Sequence, residues 1–241
     1  MFFAHGQSGP VRWAFTDREG GVSTGEYGSL NLGGHVGDDP GSVETNRARV
    51  AEAMGVPREQ LLVLQQCHGN DVVVVDGPWG ATDAPRADGV VTATPHIALA
   101  ALVADCTPVL LADPGAGVVA AVHAGRPGMT SRIVDVAVDR MRQLGARAIE
   151  AVVGPSVCGR CYEVPEEMRA ASAAVSPEAS AVSWTGTPAV DVAAGVVAQL
   201  HANDVAVQRV PGCAREDERL YSYRRDGRTG RFAGVVVLEA S

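Results

Sequence analysis

The chain has 241 residues, 46% of them hydrophobic and 20% charged, which is the composition of a folded globular protein. Its 28 acidic and 20 basic side chains leave a formal net charge of −8, which excludes a broad nucleic-acid footprint. Every basic residue is arginine, so a P-loop lysine, a Schiff-base lysine and a lysine general base are all excluded, and an anion must be met by arginine, backbone N–H groups or a metal.

In chain order, the first residues lack the basic and apolar regions of a signal peptide. No apolar run approaches the ~20 residues of a transmembrane helix. The chain is therefore read as cytoplasmic, with no membrane partner. A strand is expected over 11–15. The glycine-rich stretch 19–40 follows, and its length marks a functional or mobile loop. Residues 40–54 read as a helix, with Asp39 as N-cap, Pro40 at its first position and Gly55 after its end.

The middle of the chain is β-rich. Residues 61–64, 72–75, 89–92, 97–103, 109–112 and 118–122 are short apolar or β-branched runs separated by Gly, Pro and Asp. An amphipathic helix is expected over 130–144, with Ile133, Val134, Ala137 and Met141 on its apolar side and Gly145 at its end. A strand at 149–153, helices at 165–175 and 190–201, and strands at 205–210 and 232–238 complete the reading. Strand clusters interrupted by helices, without strict βαβ alternation, predict an α+β fold, a single-domain α/β sandwich with mixed β-sheets.

Three polar residues stand at similar places in this pattern. His68, Cys106 and His123 each end an apolar run and each precede a turn or small residue. Strands that end on one rim of a sheet bring such residues together. Imidazole nitrogen and thiolate sulfur are zinc ligands, and three protein ligands leave a fourth position open, as in a catalytic site. The same geometry also suits a cysteine nucleophile beside a histidine base. Asp105, next to Cys106, is a candidate to orient a histidine, although neighbours on a strand point to opposite faces.

Other features carry less. Cys158-Gly-Arg-Cys161 matches C-x-x-C but has no second pair, so it reads as a structural or incidental pair. Arg224, Arg225, Arg228 and Arg231 form either a solvated face or an anion-recognition set. His5, His96 and His201 read as surface or helix residues, and His35 as a residue that could line a pocket. No G-x-G-x-x-G follows a strand, so a dinucleotide fingerprint is absent. With six histidines and no His-x-His, the chain does not supply the imidazoles of a multicopper oxidase.

Ordered blocks over nearly the whole chain resemble the laccase-domain family, the polyphenol-oxidase-like or YfiH/YlmD-like purine nucleoside phosphorylases. They begin with Arg18-Glu-Gly-Gly-Val-Ser-Thr-Gly, Ser29-Leu-Asn-Leu-Gly-Gly-His-Val-Gly-Asp-Asp and Asn46-Arg47. Gln66-Cys-His-Gly, Ala87-Asp-Gly-Val-Val-Thr, Ala104-Asp-Cys-Thr-Pro-Val and Val122-His-Ala-Gly follow. Gly154-Pro-Ser, Cys161-Tyr-Glu-Val and Ser222-Tyr-Arg-Arg-Asp-Gly-Arg-Thr-Gly-Arg complete the set.

The resemblance implies one laccase-like domain over 1–241. It implies a metal site at His68, Cys106 and His123, holding zinc, with copper as the second candidate, and makes the same three residues the catalytic set. It implies phosphorolysis of adenosine, inosine and methylthioadenosine, with nucleoside and phosphate as small-molecule partners and adenosine deamination as an associated activity. Some relatives edit peptidoglycan precursors, which gives a hydrolase alternative. A catalytically degenerate structural or regulatory partner is the third. Two departures stand out. The family's His-Ala-Gly-Trp-Arg-Gly is His123-Ala-Gly-Arg126-Pro127-Gly here, and its Gln-Val-His-Gly is Gln66-Cys67-His68-Gly69. Cys67 is expected to point away from the ligand set.

Overall fold

The computed structural model describes residues 1–80 and 83–240. The chain opens with strands β1 (Phe2–Ser8) and β2 (Val11–Thr16) and helix α1 (Pro40–Ala53). Six strands follow: β3 (Leu61–Val63), β4 (Val72–Val74), β5 (Gly89–Thr92), β6 (Ala98–Val103), β7 (Thr107–Asp113) and β8 (Val118–Ala124). Then come α2 (Arg126–Thr130), α3 (Ile133–Gln143), β9 (Glu150–Val153), α4 (Glu166–Val175), β10 (Ser180–Val182) and β11 (Pro188–Val190). Helix α5 (Val192–Ala202), β12 (Ala206–Arg209), α6 (Tyr223–Asp226) and β13 (Phe232–Leu238) close the chain.

Two mixed sheets carry the architecture. One has the order β1-β2-β13-β6-β3 and the other β12-β9-β7-β8-β5-β4. Leu99, Ala101, Val236 and Leu238 of the first meet Leu110, Val119 and Ala121 of the second in a core between the sheets. The opposite face of the first sheet, with Ala98, Ala100, Leu102 and Val235, packs on Val50, Ala51 and Met54 around the end of α1. The opposite face of the second, with Val109, Leu111, Ala120 and Val122, packs on Ile133, Ala137 and Met141 of α3 and on Val196 and Leu200 of α5. Strands covered on both faces have no solvent side. For that reason β6, β7, β8 and β13 are buried at every position and read as continuous apolar runs instead of alternating ones. Each fully buried Val or Leu contributes roughly 1.5–3 kcal/mol. The α+β sandwich with mixed sheets expected from the sequence is the fold observed.

Helix α1 begins as expected, with the Asp39 carboxylate accepting from the Ser42 N–H at 2.8 Å and Pro40 in the first turn. The helix expected over 130–144 is found as α3, which starts at Ile133, and α2 is a separate short helix before it. Arg132 has φ +59°, in the left-handed region, and separates α2 from α3. Strand β1, helix α2, the β10–β11 pair and α6 are additions to the sequence reading. The glycine-rich stretch is tightly held. The buried Asn46 side chain donates to Ser23 Oγ, Ser29 O and Asn31 O, and accepts from Val22 N–H. No helix among the described residues is long and apolar enough to cross a membrane.

The chain passes between the sheets where chemistry-bearing residues lie. β3 belongs to the first sheet and β4 to the second, and His68 sits in the connection. β6 belongs to the first and β7 to the second, and Cys106 sits in that connection.

Candidate functional site

His68, Cys106 and His123 converge as expected, with one ligand atom from each within 4.8 Å of the others. The two imidazole rings meet edge to face, 4.7 Å between centroids, and Cys106 Sγ lies 3.7 Å from His68 Nε2. Each residue reaches this point by a different device. Gln66 fixes the loop before His68, because its side-chain amide donates to Leu102 O and accepts from Leu102 N–H at 2.7 and 2.8 Å, as a neighbouring strand would. His68 itself then adopts φ +61°. Cys106 follows Asp105, which has φ +99°, in a sharp turn between β6 and β7. His123 does not follow a strand. It lies inside β8, which runs to Ala124.

Asp88 joins these parts, and the sequence reading assigned it no role. It is 1% exposed and immediately precedes β5. Its carboxylate accepts from the backbone N–H groups of Cys67, His68 and Gly69, the last at 2.6 Å, and from His123 Nδ1 at 2.8 Å. One carboxylate therefore holds the His68 loop and sets the His123 ring, leaving Nε2 for Cys106. Burial works against the charged carboxyl, but the hydrogen bonds from His123, Gly69 and Cys67 outweigh it and hold Asp88 well below the usual carboxylate range. Cys67 is exposed and its thiol donates to Asp88 at 3.2 Å, so it stands outside the three-residue set.

The set is electrically coupled. Burial favours the neutral Cys106 thiol, yet the charge and hydrogen bonding of His123, and then of His68, bring it down to about 6. Burial likewise opposes the His123 imidazolium, but the Cys106 charge and the hydrogen bond to Asp88 raise it to about 9. With no cation bound, the pair favours thiolate beside imidazolium. Gly125 explains the close approach of the next turn. A Cβ there would lie 2.9 Å from His68 Cδ2 and 3.2 Å from Cys106 Sγ.

The three residues line a cavity of about 440 Å³. His35, Arg126, Arg224 and Arg231 are among its other polar lining residues. His35 brings the glycine-rich loop to the cavity. Burial first, then Arg231 and Arg47, lower its pKa and favour the neutral ring. Arg126, Arg224 and Arg231 form no ion pair among the described residues, while Arg225 and Arg228 bond Asp226 and Glu26. The C-terminal arginines thus divide into two that face the cavity and two that brace the surface. The Arg224 guanidinium stacks 4.3 Å from the centre of the Tyr162 ring. Pro127 occupies the first turn of α2, where its missing N–H costs nothing, so Arg126-Pro127 is accommodated and Arg126 reaches the cavity. Asp105 does not orient a histidine. Its oxygens accept from Ser222 Oγ at 2.6 Å and Arg224 N–H at 2.7 Å, which anchors the segment carrying Arg224 beside Cys106.

A family model described as multi-copper polyphenol oxidoreductase laccase matches residues 12–239. A purine nucleoside phosphorylase of Streptomyces coelicolor is 56% identical over 232 residues, covering 95% of this chain and 96% of that one. A purine nucleoside phosphorylase of Mycobacterium tuberculosis H37Rv is 46% identical over 234 residues, covering 95% of this chain and 92% of that one. Among solved structures, a Neisseria meningitidis protein superposes with a TM-score of 0.87 at 32% identity, covering 99% of each chain. YlmD from Geobacillus stearothermophilus superposes with a TM-score of 0.85 at 31% identity, covering 96% of this chain and 93% of that one.

Proposed function

The chain belongs to the multi-copper polyphenol oxidoreductase laccase family, and from that premise we propose that it is a purine nucleoside phosphorylase with His68, Cys106 and His123 as its catalytic set. Its substrates on this reading are adenosine, inosine and methylthioadenosine with inorganic phosphate. Adenosine deamination is the associated activity. The observation that carries the reading is the juxtaposition of the His–Cys–His set with Arg126, Arg224 and Arg231 in one cavity, in a chain 56% identical to a phosphorylase over nearly its full length.

The donor set fits a divalent transition metal: one thiolate-favouring sulfur and two imidazoles, one of them oriented by a buried carboxylate. His68, Cys106 and His123 would hold zinc, with copper as the second candidate, and such an ion supplies Lewis-acid charge stabilisation. The protein's own residues do the rest. Asp88 keeps the His123 proton on Nδ1. The three arginines offer guanidinium donors to phosphate, and Arg224 is pre-oriented by its stack on Tyr162. A cavity of about 440 Å³ has the size of a small-molecule site.

One observation favours a second reading. The Cys106–His123 pair, with the thiol brought down to about 6, has the chemistry of an amide hydrolase nucleophile, which suits editing of a nucleotide-linked muramyl precursor. Incubation of purified protein with adenosine or inosine, with and without phosphate, tests the choice. Phosphate-dependent release of free base is expected. Release of an amino acid from the muramyl precursor without nucleoside turnover would replace the phosphorylase with the hydrolase. Neither activity, in a metal-loaded protein, would leave the degenerate partner.

A further inference from the structure

A second group of ligand-type side chains lies outside the cavity. Cys158, Cys161, Cys213 and Glu216 each place one sulfur or carboxylate oxygen within 4.8 Å of the other three. All three cysteines are free thiols. The group is built from two short turns of the same design. In Cys158-Gly-Arg-Cys161, the Cys158 carbonyl accepts from the N–H groups of Cys161 and Tyr162 at 2.9 and 3.1 Å. In Cys213-Ala-Arg-Glu216, the Cys213 carbonyl accepts from Glu216 and Asp217 at 3.0 and 2.8 Å. A bridge between Ser156 and Cys213 sets the turns side by side, and the Cys158 N–H points at Cys213 Sγ at 3.4 Å. The second pair that the C-x-x-C motif lacks in sequence is thus present in space as C-x-x-E.

We propose that Cys158, Cys161, Cys213 and Glu216 form a structural zinc site that clamps these two turns together. A tetrahedral shell with Zn–S near 2.3 Å separates its ligand atoms by about 3.8 Å, so the four atoms need only a small inward movement. Three thiolates select a soft or borderline ion, and the carboxylate is an accepted fourth ligand. The surroundings match this use. Trp184 Nε1 donates to Glu216 Oε1 at 3.2 Å and holds the carboxylate at the group. Gly159 admits no side chain, since a Cβ would meet Asp191 Cβ at 2.8 Å and Ala181 Cβ at 2.9 Å, so the first turn is fixed by packing. Without a cation two of the thiols resist ionisation. Burial, then the neighbouring thiols and Glu216, push Cys161 up to about 12, and burial first raises Cys213. A divalent ion reverses that balance, and its binding releases the thiol protons to solvent.

The clamp has a structural purpose. Val157 N–H donates to Asp105 O at 2.9 Å, and Tyr162 carries Arg224 on its ring. Both residues flank the first turn and line the cavity. A metal at the two turns would hold that wall in place without touching substrate.

The test is cysteine-resolved alkylation of the wild-type chain, read by mass spectrometry, after loading with zinc and after chelation. Zinc is expected to protect Cys158, Cys161 and Cys213 together, with exposed Cys67 labelled in both states. Equal labelling of the three with and without zinc would overturn the site, as would a disulfide among them in reduced, zinc-loaded protein. Zinc content separates this site from the cavity. The His68→Ala, Cys106→Ala variant is expected to keep one zinc per chain, and a zinc-free variant that still folds counts against the proposal. Glu216→Ala should weaken zinc binding there by more than about tenfold, the lower bound for losing even an outer-shell partner, whereas Glu216→Cys should retain it. Equal affinity in the wild type and Glu216→Ala would remove Glu216 from the site.

Discussion

The His68–Cys106–His123 group and the Cys158–Cys161–Cys213–Glu216 group are assembled in opposite ways. The first draws single residues from three distant places, two of them connections between the sheets and one a strand interior. The second is two near-identical turns laid against each other. The first mixes imidazole with a cysteine sulfur, opens on a cavity and has three arginines there that form no ion pair among the described residues. The second is thiol-rich and has four donors drawn together at one point. Three donors facing a cavity suit chemistry at an open position, while four donors closing on each other suit structure. The contrast makes separable predictions, because each group has its own direct readout, turnover for the first and thiol protection for the second.

The largest effect is expected from Cys106→Ser. It removes the sulfur shared by the metal-ligand and nucleophile readings. Turnover should fall by more than about a hundredfold, above the range for losing a supporting residue. Zinc-dependent protection of Cys158, Cys161 and Cys213 should persist. Full activity in this variant would overturn the assignment of the cavity as the active site. Asp88→Asn comes next. It keeps the shape but loses the charge that organises the 67–69 loop and His123. A loss of about 10–100-fold in turnover is expected, measured under saturating zinc. Activity equal to wild type would mean that His123 is oriented without Asp88.

A mirrored pair of glycine variants sharpens the comparison. Gly125→Ala pushes a methyl against His68 and Cys106, and Gly159→Ala pushes one against Asp191 and Ala181. Each should destabilise by about 1–3 kcal/mol in thermal or denaturant unfolding, as overpacking does. Gly125→Ala should lower turnover per folded molecule far more than Gly159→Ala, which reaches the cavity only through its wall. Equal loss of activity in both would show that the second group bears on the cavity more directly than a clamp.

These residues also show what was legible in the sequence. His68 and Cys106 stood out because an apolar strand that ends in a ligand-type residue is a visible break in pattern. His123 was found for the same reason, although its strand continues past it. Asp88 was invisible as a role, because its meaning lies in the amides of a loop some twenty residues earlier, and no periodicity encodes that pairing. Glu216 was invisible because C-x-x-E matches no ligand pattern until its turn lies against C-x-x-C. The doubly covered strands were readable as apolar runs. Edge strand β1 was not, because it is only partly buried and interrupted by His5 and Gly6. Helix α3 begins three residues later than the pattern suggests, because Arg132 takes a left-handed conformation.

The smallest effect, and the most discriminating for the cavity, is expected at Arg126. Its guanidinium lines the cavity beside the His–Cys–His set, in a turn where the resemblance implies Trp-Arg and this chain has Arg-Pro. Removing one charge-assisted hydrogen bond costs about 1.5–3 kcal/mol, roughly 10- to 150-fold, and the lower end is expected with Arg224 and Arg231 still in place. Arg126→Ala should therefore raise the KM for phosphate about tenfold, with the KM for nucleoside and the zinc content of both groups unchanged. A drop in kcat with KM for phosphate constant would place Arg126 at the reacting atoms instead of the anion. No change in either would assign the anion to Arg224 and Arg231. The paired variant Arg126→Trp, Pro127→Arg then separates position from charge. If Arg126 does the work of the missing arginine, this variant should keep the wild-type KM for phosphate. A large gain in turnover would instead show that the wild-type arrangement holds phosphate poorly.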